Sequence, residues 1–228
     1  MNILAFDTAL DACAAAVWSD GTVLAAESVA AARGHAEMLF PMLARVLAQA
    51  DLDYADLDRF AVTTGPGSFT GVRVGLAAAR GLALGRSRPI IGITTLEAIA
   101  ATVSPQVDTG RRLGVAIDAR RGELYVQVFE VDAGKPRATA PPSVIGHDEA
   151  AAFFGNGSLD IAGSGAGIVR AGLGERDGLR YHDTVIRPDA AILAEIASGR
   201  AADAGHPPSP LYLRAPDAKL PAAAPARR

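Results

Sequence analysis

Residues 3–18 read ILAFDTALDACAAAVW. A short apolar run, Ile3–Asp7, ends in an acid. A turn through Thr8–Asp11 follows, and then a second apolar run, Ala12–Trp18. The pattern returns at residues 113–131, LGVAIDARRGELYVQVFEV, where Leu113–Asp118 ends in an acid, Ala119–Gly122 turns, and Glu123–Val131 alternates as a strand. Aligning Asp7 with Asp118 superposes strand, acid, turn and strand, an internal repeat of about 110 residues.

Working outward, Asp20-Gly21 makes a tight joint and Thr22–Ala30 a third strand, so the chain opens as an antiparallel meander. Ala36–Ala50 turns helical, with Leu39, Leu43, Val46, Leu47 and Ala50 on one stripe. Pro41 either stands near the start of that helix or kinks it. A strand at Arg59–Thr64, a helix at Thr70–Gly85, a strand at Pro89–Ile93 and a helix at Thr95–Val103, capped by Thr94 or Thr95, complete the first half. In the second half Ala138–Ile145 reads as a third strand, His147–Phe154 as a helix and Leu159–Ala162 as a strand. The Gly163–Gly167 turn precedes a further helix, Asp189–Ser198 is another, and Leu211–Leu213 is able to add an edge strand. Three strands followed by alternating helices and strands, twice over, imply an α/β protein of two similar domains. The division falls at 1–106 and 107–214, with 215–228 expected as a disordered tail.

Composition narrows the function classes. Half of the 228 residues are apolar and 21% are charged, which excludes a disordered chain. Acids outnumber bases by 25 to 22, a net charge of −3. No basic patch dominates, which argues against a stand-alone nucleic-acid binder relying on its own electrostatics. The one cysteine, Cys13, excludes intrachain disulfides and points to a reducing cytosol. The N-terminus has no basic region before its short apolar run, so it does not read as a signal peptide. No uncharged apolar run approaches the ~18 residues of a membrane helix.

The most distinctive segment is Gly65-Pro66-Gly67-Ser68-Phe69-Thr70-Gly71-Val72-Arg73-Val74-Gly75, which leaves a strand and opens a helix. Free N–H groups at a helix start make an anion site that Gly65 and Gly67 would let a ligand approach. The same residues also read as a tight strand-to-helix turn capped by Ser68 or Thr70, the reading that spacing alone favours. No lysine follows, so it is not a Walker A loop, and it does not fit G-x-G-x-x-G. Glycine costs about 1 kcal/mol against alanine within a helix, yet Gly71, Gly75, Gly81 and Gly85 recur here. Gly71, Gly75, Ala78 or Ala79, and Leu82 share a face narrow enough for a second helix to approach. With the 36–50 helix they form a close-packed layer, either a subunit interface or burial within the monomer. On the interface reading, a leucine at Gly75 blocks partner binding and leaves the monomer folded.

Asp7 and Asp118 are either paired acids that hold Mg²⁺ and nucleotide phosphates or turn acids that cap backbone N–H groups. Asp7 is followed by Thr8-Ala9-Leu10 with no glycine, and Asp118 by Ala119-Arg120-Arg121-Gly122. Side chains thus occupy both turns where a phosphate would go. That leaves Asp7, Thr8, Gly65, Gly67 and Asp118 as weak phosphate contacts. His35, His147, His182 and His206 form no i, i+4 pair, so a helical metal site is not expected. His35 either lines an interface or is structural, and Ser68 has no partner base that spacing would identify. Gly163-Ser164-Gly165-Ala166-Gly167 is a connection or an adenosine-contacting turn.

Taken in order, ILAFDTALDACAAAV, RGHAEMLFPML, GPGSFTGVRVGLAAARGLAL, PIIGITTLEAIA, AIDARRGELYVQVF, GSGA and PLYLR resemble the TsaB family along nearly the whole chain to Arg214. This family is the bacterial, glycoprotease-like (M22 peptidase homologue) subunit of the tRNA threonylcarbamoyladenosine machinery. The resemblance implies two duplicated lobes of the actin, heat-shock-chaperone and sugar-kinase (ribonuclease H-like) fold. It implies a non-catalytic cytoplasmic scaffold that pairs with the catalytic paralogue TsaD and recruits the ATPase TsaE. ATP and Mg²⁺ are then used by the complex, which moves a threonylcarbamoyl group onto N6 of the adenosine 3′ of the anticodon, and tRNA is met through the complex. Carried onto this sequence, the partner interface falls on His35, Leu39, Leu43, Val46, Gly71, Val72, Gly75, Ala78, Ala79 and Leu82, a surface that would also support a homodimer. An ATP-dependent kinase and a metallopeptidase of the same fold are the competing readings. The non-glycine turns argue against the first and the missing histidine pair against the second.

Overall fold

The computed structural model describes residues 1–85, 87–175, 177–202 and 207–214. The 215–228 tail lies outside them. The meander forms as β1 (Asn2–Asp7), β2 (Ala12–Ser19) and β3 (Thr22–Ala30). It is followed by α1 (His35–Gln49), β4 (Arg59–Thr63), α2 (Phe69–Leu84), β5 (Ile90–Ile93) and α3 (Thr95–Val103). The second half runs β6 (Arg112–Arg120), β7 (Glu123–Asp132), β8 (Lys135–Ala138), β9 (Ser143–Gly146) and α4 (Ala150–Phe154). Then come β10 (Leu159–Ala162), α5 (Ala166–Leu173), β11 (Leu179–His182) and α6 (Ala190–Gly199).

The first sheet has the order β3-β2-β1-β4-β5, the second β8-β7-β6-β10-β11 with β9 also on β7. Exchanging β1 for β6, β2 for β7, β3 for β8, β4 for β10 and β5 for β11 turns one order into the other. Both central strands run parallel to the strand that follows the crossover, β1 with β4 and β6 with β10. The third strand of the second half differs from the single run expected over 138–145. It is split into β8 and β9, because Pro141 and Pro142 carry no N–H to keep a ladder going. β11, which sequence reading passed over, adds to β10 in parallel.

Side chains alternate across β1. Leu4 and Phe6 meet Leu39, Met42, Leu43 and Val46 of α1 and Leu76 of α2 on one face. Ile3 and Ala5 meet Leu193, Ala194 and Ala197 of α6 on the other. Helices cover both faces, so β1 and β2 are apolar almost without a break rather than alternating. α6 follows the second sheet in the chain yet packs on the first. α3 lies between the two sheets: Leu96, Ile99 and Val103 join Val115, Ile117 and Phe129 of the second, while Ala98 joins the first. α1 continues through Pro41, which sits on the exposed side, where water can take up the Glu37 carbonyl that the ring leaves without a donor.

Candidate functional site

The β1–β2 turn and the start of α2 lock together. Ser68 caps α2, its hydroxyl accepting from the Gly71 N–H at 3.3 Å. The Ser68 N–H donates to the Ala9 carbonyl at 2.7 Å, and the Thr8 hydroxyl donates to the Gly71 carbonyl at 2.7 Å. Space is the reason for the glycines. A Cβ at Gly67 would stand 2.3 Å from the Ala9 oxygen, one at Gly71 2.0 Å from the Thr8 oxygen, and one at Gly75 2.7 Å from the Thr8 hydroxyl. Gly65, at φ 98°, gives its carbonyl to the Thr95 N–H at 2.8 Å. Leu10, at the tip of the turn, packs against the core of the second sheet.

Asp7 is fully buried inside this knot. Its Oδ1 accepts from the Thr63 hydroxyl at 2.5 Å and from the Ala9 N–H at 3.0 Å. Its Oδ2 is buried with no hydrogen-bond partner among the described residues. Burial pushes the carboxyl up to about 6, against the pull of Thr63, the Ala9 N–H and the more distant His35 and Arg187. His35 donates from Nε2 to the Leu10 carbonyl at 3.0 Å, so it holds the turn.

Asp7, Thr8, Gly65 and Gly67 are thus brought together but closed on one another. Asp118 belongs to a different setting. Its Oδ1 accepts from the Arg120 N–H at 2.8 Å, its Oδ2 pairs with the Arg120 guanidinium at 3.3 Å, and its own N–H donates to the Ser164 hydroxyl at 3.1 Å. A cleft of about 410 Å³ does open between β2–β3 and the 184–190 segment, lined by Glu27, Thr102, Arg187 and Asp189 among others. None of its lining residues is a glycine, and Asp7 does not reach it. Among the described residues no three His, Cys, Asp or Glu side chains gather as a metal-ligand set, and no helix is long and apolar enough to cross a membrane.

The residues expected at a partner interface need correcting. His35, Leu39, Leu43, Val46, Val72, Ala78 and Ala79 are buried inside this chain, and half-buried Leu82 packs on the same core. Gly71 and Gly75 are filled by Thr8, so the small-residue face serves burial within the monomer. A leucine at Gly75 is expected to disturb the fold rather than spare it. The solvent faces of these two helices, which touch one another, carry Ala36, Phe40, Ala44 and Ala48 on α1 and Phe69, Arg73, Ala77 and Leu84 on α2. Phe40 is 51% exposed and Leu84 85%. Both stand off the periodic stripes, and that was the signal available in the sequence.

Leu211–Leu213, expected to add an edge strand, form none: residues 207–214 instead cross the end of the first sheet. Leu211 donates one bond to the Thr64 carbonyl at 2.8 Å, and Pro208 sits where a Cβ on Gly92 would be, 2.5 Å away. Arg214 reaches the second half, donating to the carbonyls of Ala119 at 3.2 Å and Arg120 at 3.3 Å and pairing with Glu123.

Known proteins match this arrangement. The family model for TsaD, tRNA N6-adenosine threonylcarbamoyltransferase, matches residues 28–163. The tRNA threonylcarbamoyladenosine biosynthesis protein TsaB of Escherichia coli (strain K12) is 42% identical over 132 residues, 58% of this chain and 56% of that protein. The chain therefore spans little more than half the length of that relative. An uncharacterized protein of Mycobacterium tuberculosis (strain H37Rv) is 35% identical over 225 residues, 96% of this chain and 94% of its own. The solved structure of YeaZ from Pseudomonas aeruginosa superposes with a TM-score of 0.80 at 28% identity, covering 93% of this chain and 99% of that one. The two sheets and their crossovers are the α/β fold of that structure. On the family model, the relatives and the shared fold together, the chain belongs to the TsaB family of glycoprotease-like proteins.

Proposed function

We propose that this chain is a non-catalytic scaffold subunit of an assembly that forms threonylcarbamoyladenosine in tRNA, activating a TsaD-family partner. The E. coli relative is a biosynthesis protein of that modification, and the matching family model is that of the transferase. One observation carries the non-catalytic part. Where a phosphate-binding hairpin must leave its backbone open, Thr8 and Ala9 are seated on Gly71 and Gly67 and Leu10 is packed into the second half. The partner then meets the solvent faces of α1 and α2, with Phe40 and Leu84 as apolar anchors. Without that partner the same faces support a homodimer. ATP and Mg²⁺ are used by the partner and a TsaE-type ATPase, and tRNA is met through the assembly.

The test is reconstitution with partner, ATPase, tRNA, threonine, bicarbonate, ATP and the enzyme that makes the adenylate, read by nucleoside mass spectrometry. Product is expected only when this chain is present. Asp7→Asn is expected to leave the yield unchanged. Equal product without the chain sinks the scaffold reading. ATP hydrolysis by the chain alone, lost in Asp7→Asn, would favour the kinase reading instead.

A further inference from the structure

The start of α2, at one end of the solvent face offered to the partner, carries a cluster that the apolar anchors Phe40 and Leu84 do not include. At the start of α2, Phe69 is 55% exposed and Tyr212 48%. Their ring centres lie 5.6 Å apart with a 30° tilt. The Arg73 guanidinium sits 3.6 Å from the centre of the Phe69 ring, and its Nε donates to the Tyr212 hydroxyl at 2.9 Å. Arg80, two turns on, donates to the Pro208 carbonyl at 2.8 Å. No carboxylate among the described residues pairs with Arg73 or Arg80. The deficit runs through the sequence. Between Asp58 and Glu97 stand five arginines (Arg59, Arg73, Arg80, Arg86 and Arg88) and no acid, and residues 207–214 have none either.

Two neighbouring aromatic rings held half in water present a flat apolar patch that a ligand can cover. Their setting says what. An apolar protein surface would not need, beside the rings, arginines that no carboxylate among the described residues offsets. A nucleic acid strand offers flat bases for the rings and phosphates for the guanidiniums. A duplex keeps its bases stacked inside, so an unpaired segment fits and a helix does not. We propose that Phe69, Tyr212 and Arg73 form a stacking platform for unpaired bases of an RNA, with Arg73 and Arg80 facing its phosphates. That the nucleic acid is RNA rests on the function proposed above. The −3 net charge is no objection, because the platform draws on a local excess of cations and on stacking.

The full chain is titrated with a labelled oligouridine of about 12 nucleotides and with an RNA duplex of equal length, read by fluorescence anisotropy. The single strand is expected to bind more tightly. Phe69→Ala and Tyr212→Ala should each weaken it about 10-fold, while Tyr212→Phe, which keeps the ring, should retain binding. Arg73→Ala should weaken it and flatten its salt dependence. Circular dichroism confirms that each variant is folded, and the Tyr212 pair decides the matter if Phe69→Ala is not. No single-strand binding by the unaltered chain, or equal binding by both alanine variants, overturns the proposal. So does loss of partner binding with RNA binding intact, which would make the patch a protein contact. Reconstitution keeps the two readings apart. If the chain is dispensable for modification yet the alanine variants lose RNA, the scaffold reading falls and the platform stands. If the chain is required and the variants bind RNA normally, the reverse holds.

Discussion

Asp7 and Asp118 occupy the same place in the two repeats and share one bond, Oδ1 accepting from the N–H two residues on, at 3.0 Å from Ala9 and 2.8 Å from Arg120. Beyond that bond they differ. Asp7 has no exposure and one oxygen without a partner among the described residues, whereas the Asp118 side chain is 25% exposed and paired with a guanidinium. The strands around them are alike, so the strands are not the cause. In the first turn Leu10 packs into the second half, Gly67 presses on Ala9, and Gly71 and Gly75 of α2 press on Thr8. In the second turn Arg120 and Arg121 take positive φ of 63° and 58°, Gly122 follows at 79°, and a Cβ on that glycine would meet nothing within 4 Å. One supersecondary unit used twice has become a sealed core element in one copy and an open surface hairpin in the other.

The sharpest way to break this comparison is to push the two turns apart from their neighbours. Gly71→Val places a Cβ 2.0 Å from a backbone oxygen, an overlap that no rotamer relieves. A loss of about 4 kcal/mol is expected in urea unfolding. A near-normal midpoint would mean that the first turn is not seated on α2. Asp7→Asn comes next and carries a sign. The folded carboxyl titrates near 6 against 3.8 for the free group, so the folded state holds an extra proton between those values. Stability linked to Asp7 is full below pH 3.8 and lost as pH rises to 6. Asp7→Asn should therefore gain up to about 3 kcal/mol above pH 7 and almost nothing below pH 4. A pH-independent difference in unfolding free energy would count against the buried charge.

The second turn should respond weakly. Gly122→Ala needs a left-handed backbone that alanine takes at a cost of about 1 kcal/mol, read as a small drop in thermal midpoint. Smallest of all, Asp118→Ala should cost about 0.5 kcal/mol and mainly speed amide exchange at Arg120, since the pair is at the surface. An Asp118 effect as large as that of Asp7 would erase the distinction between the turns.

Buried acids also show what a partner does. Asp160 in the second sheet is as inaccessible as Asp7. Burial pushes its carboxyl up, but bonds from His182 at 2.8 Å and Arg111 at 2.6 Å outweigh that and hold it below the usual range. Asp7 has neutral donors alone, and burial wins.

Local chemistry made much of the molecule legible. Apolar runs ended by acids located β1 and β6, turn residues located the hairpins, and Thr94, Ser68 and Asp189 cap α3, α2 and α6 through their own side chains. The close-packed glycine face of α2 was visible as an anomaly. What fills it was not, since Thr8 lies 63 residues from Gly71 in the chain. The same limit hid the packing of α6 on the first sheet and of residues 207–214 across its end. Periodicity tells that a face is buried and is silent on what buries it.

By itself, then, the sequence determined the repeat, the α/β class, the strand and helix types and the absence of glycine at the first turn, because each depends on residues close in the chain. Only the tertiary structure decided that the first turn is sealed and the second open, and that Phe69 meets Tyr212. Those outcomes depend on surfaces brought together by the crossovers. The free energy of a buried charge or a stacked ring is set by its neighbours in space rather than in sequence.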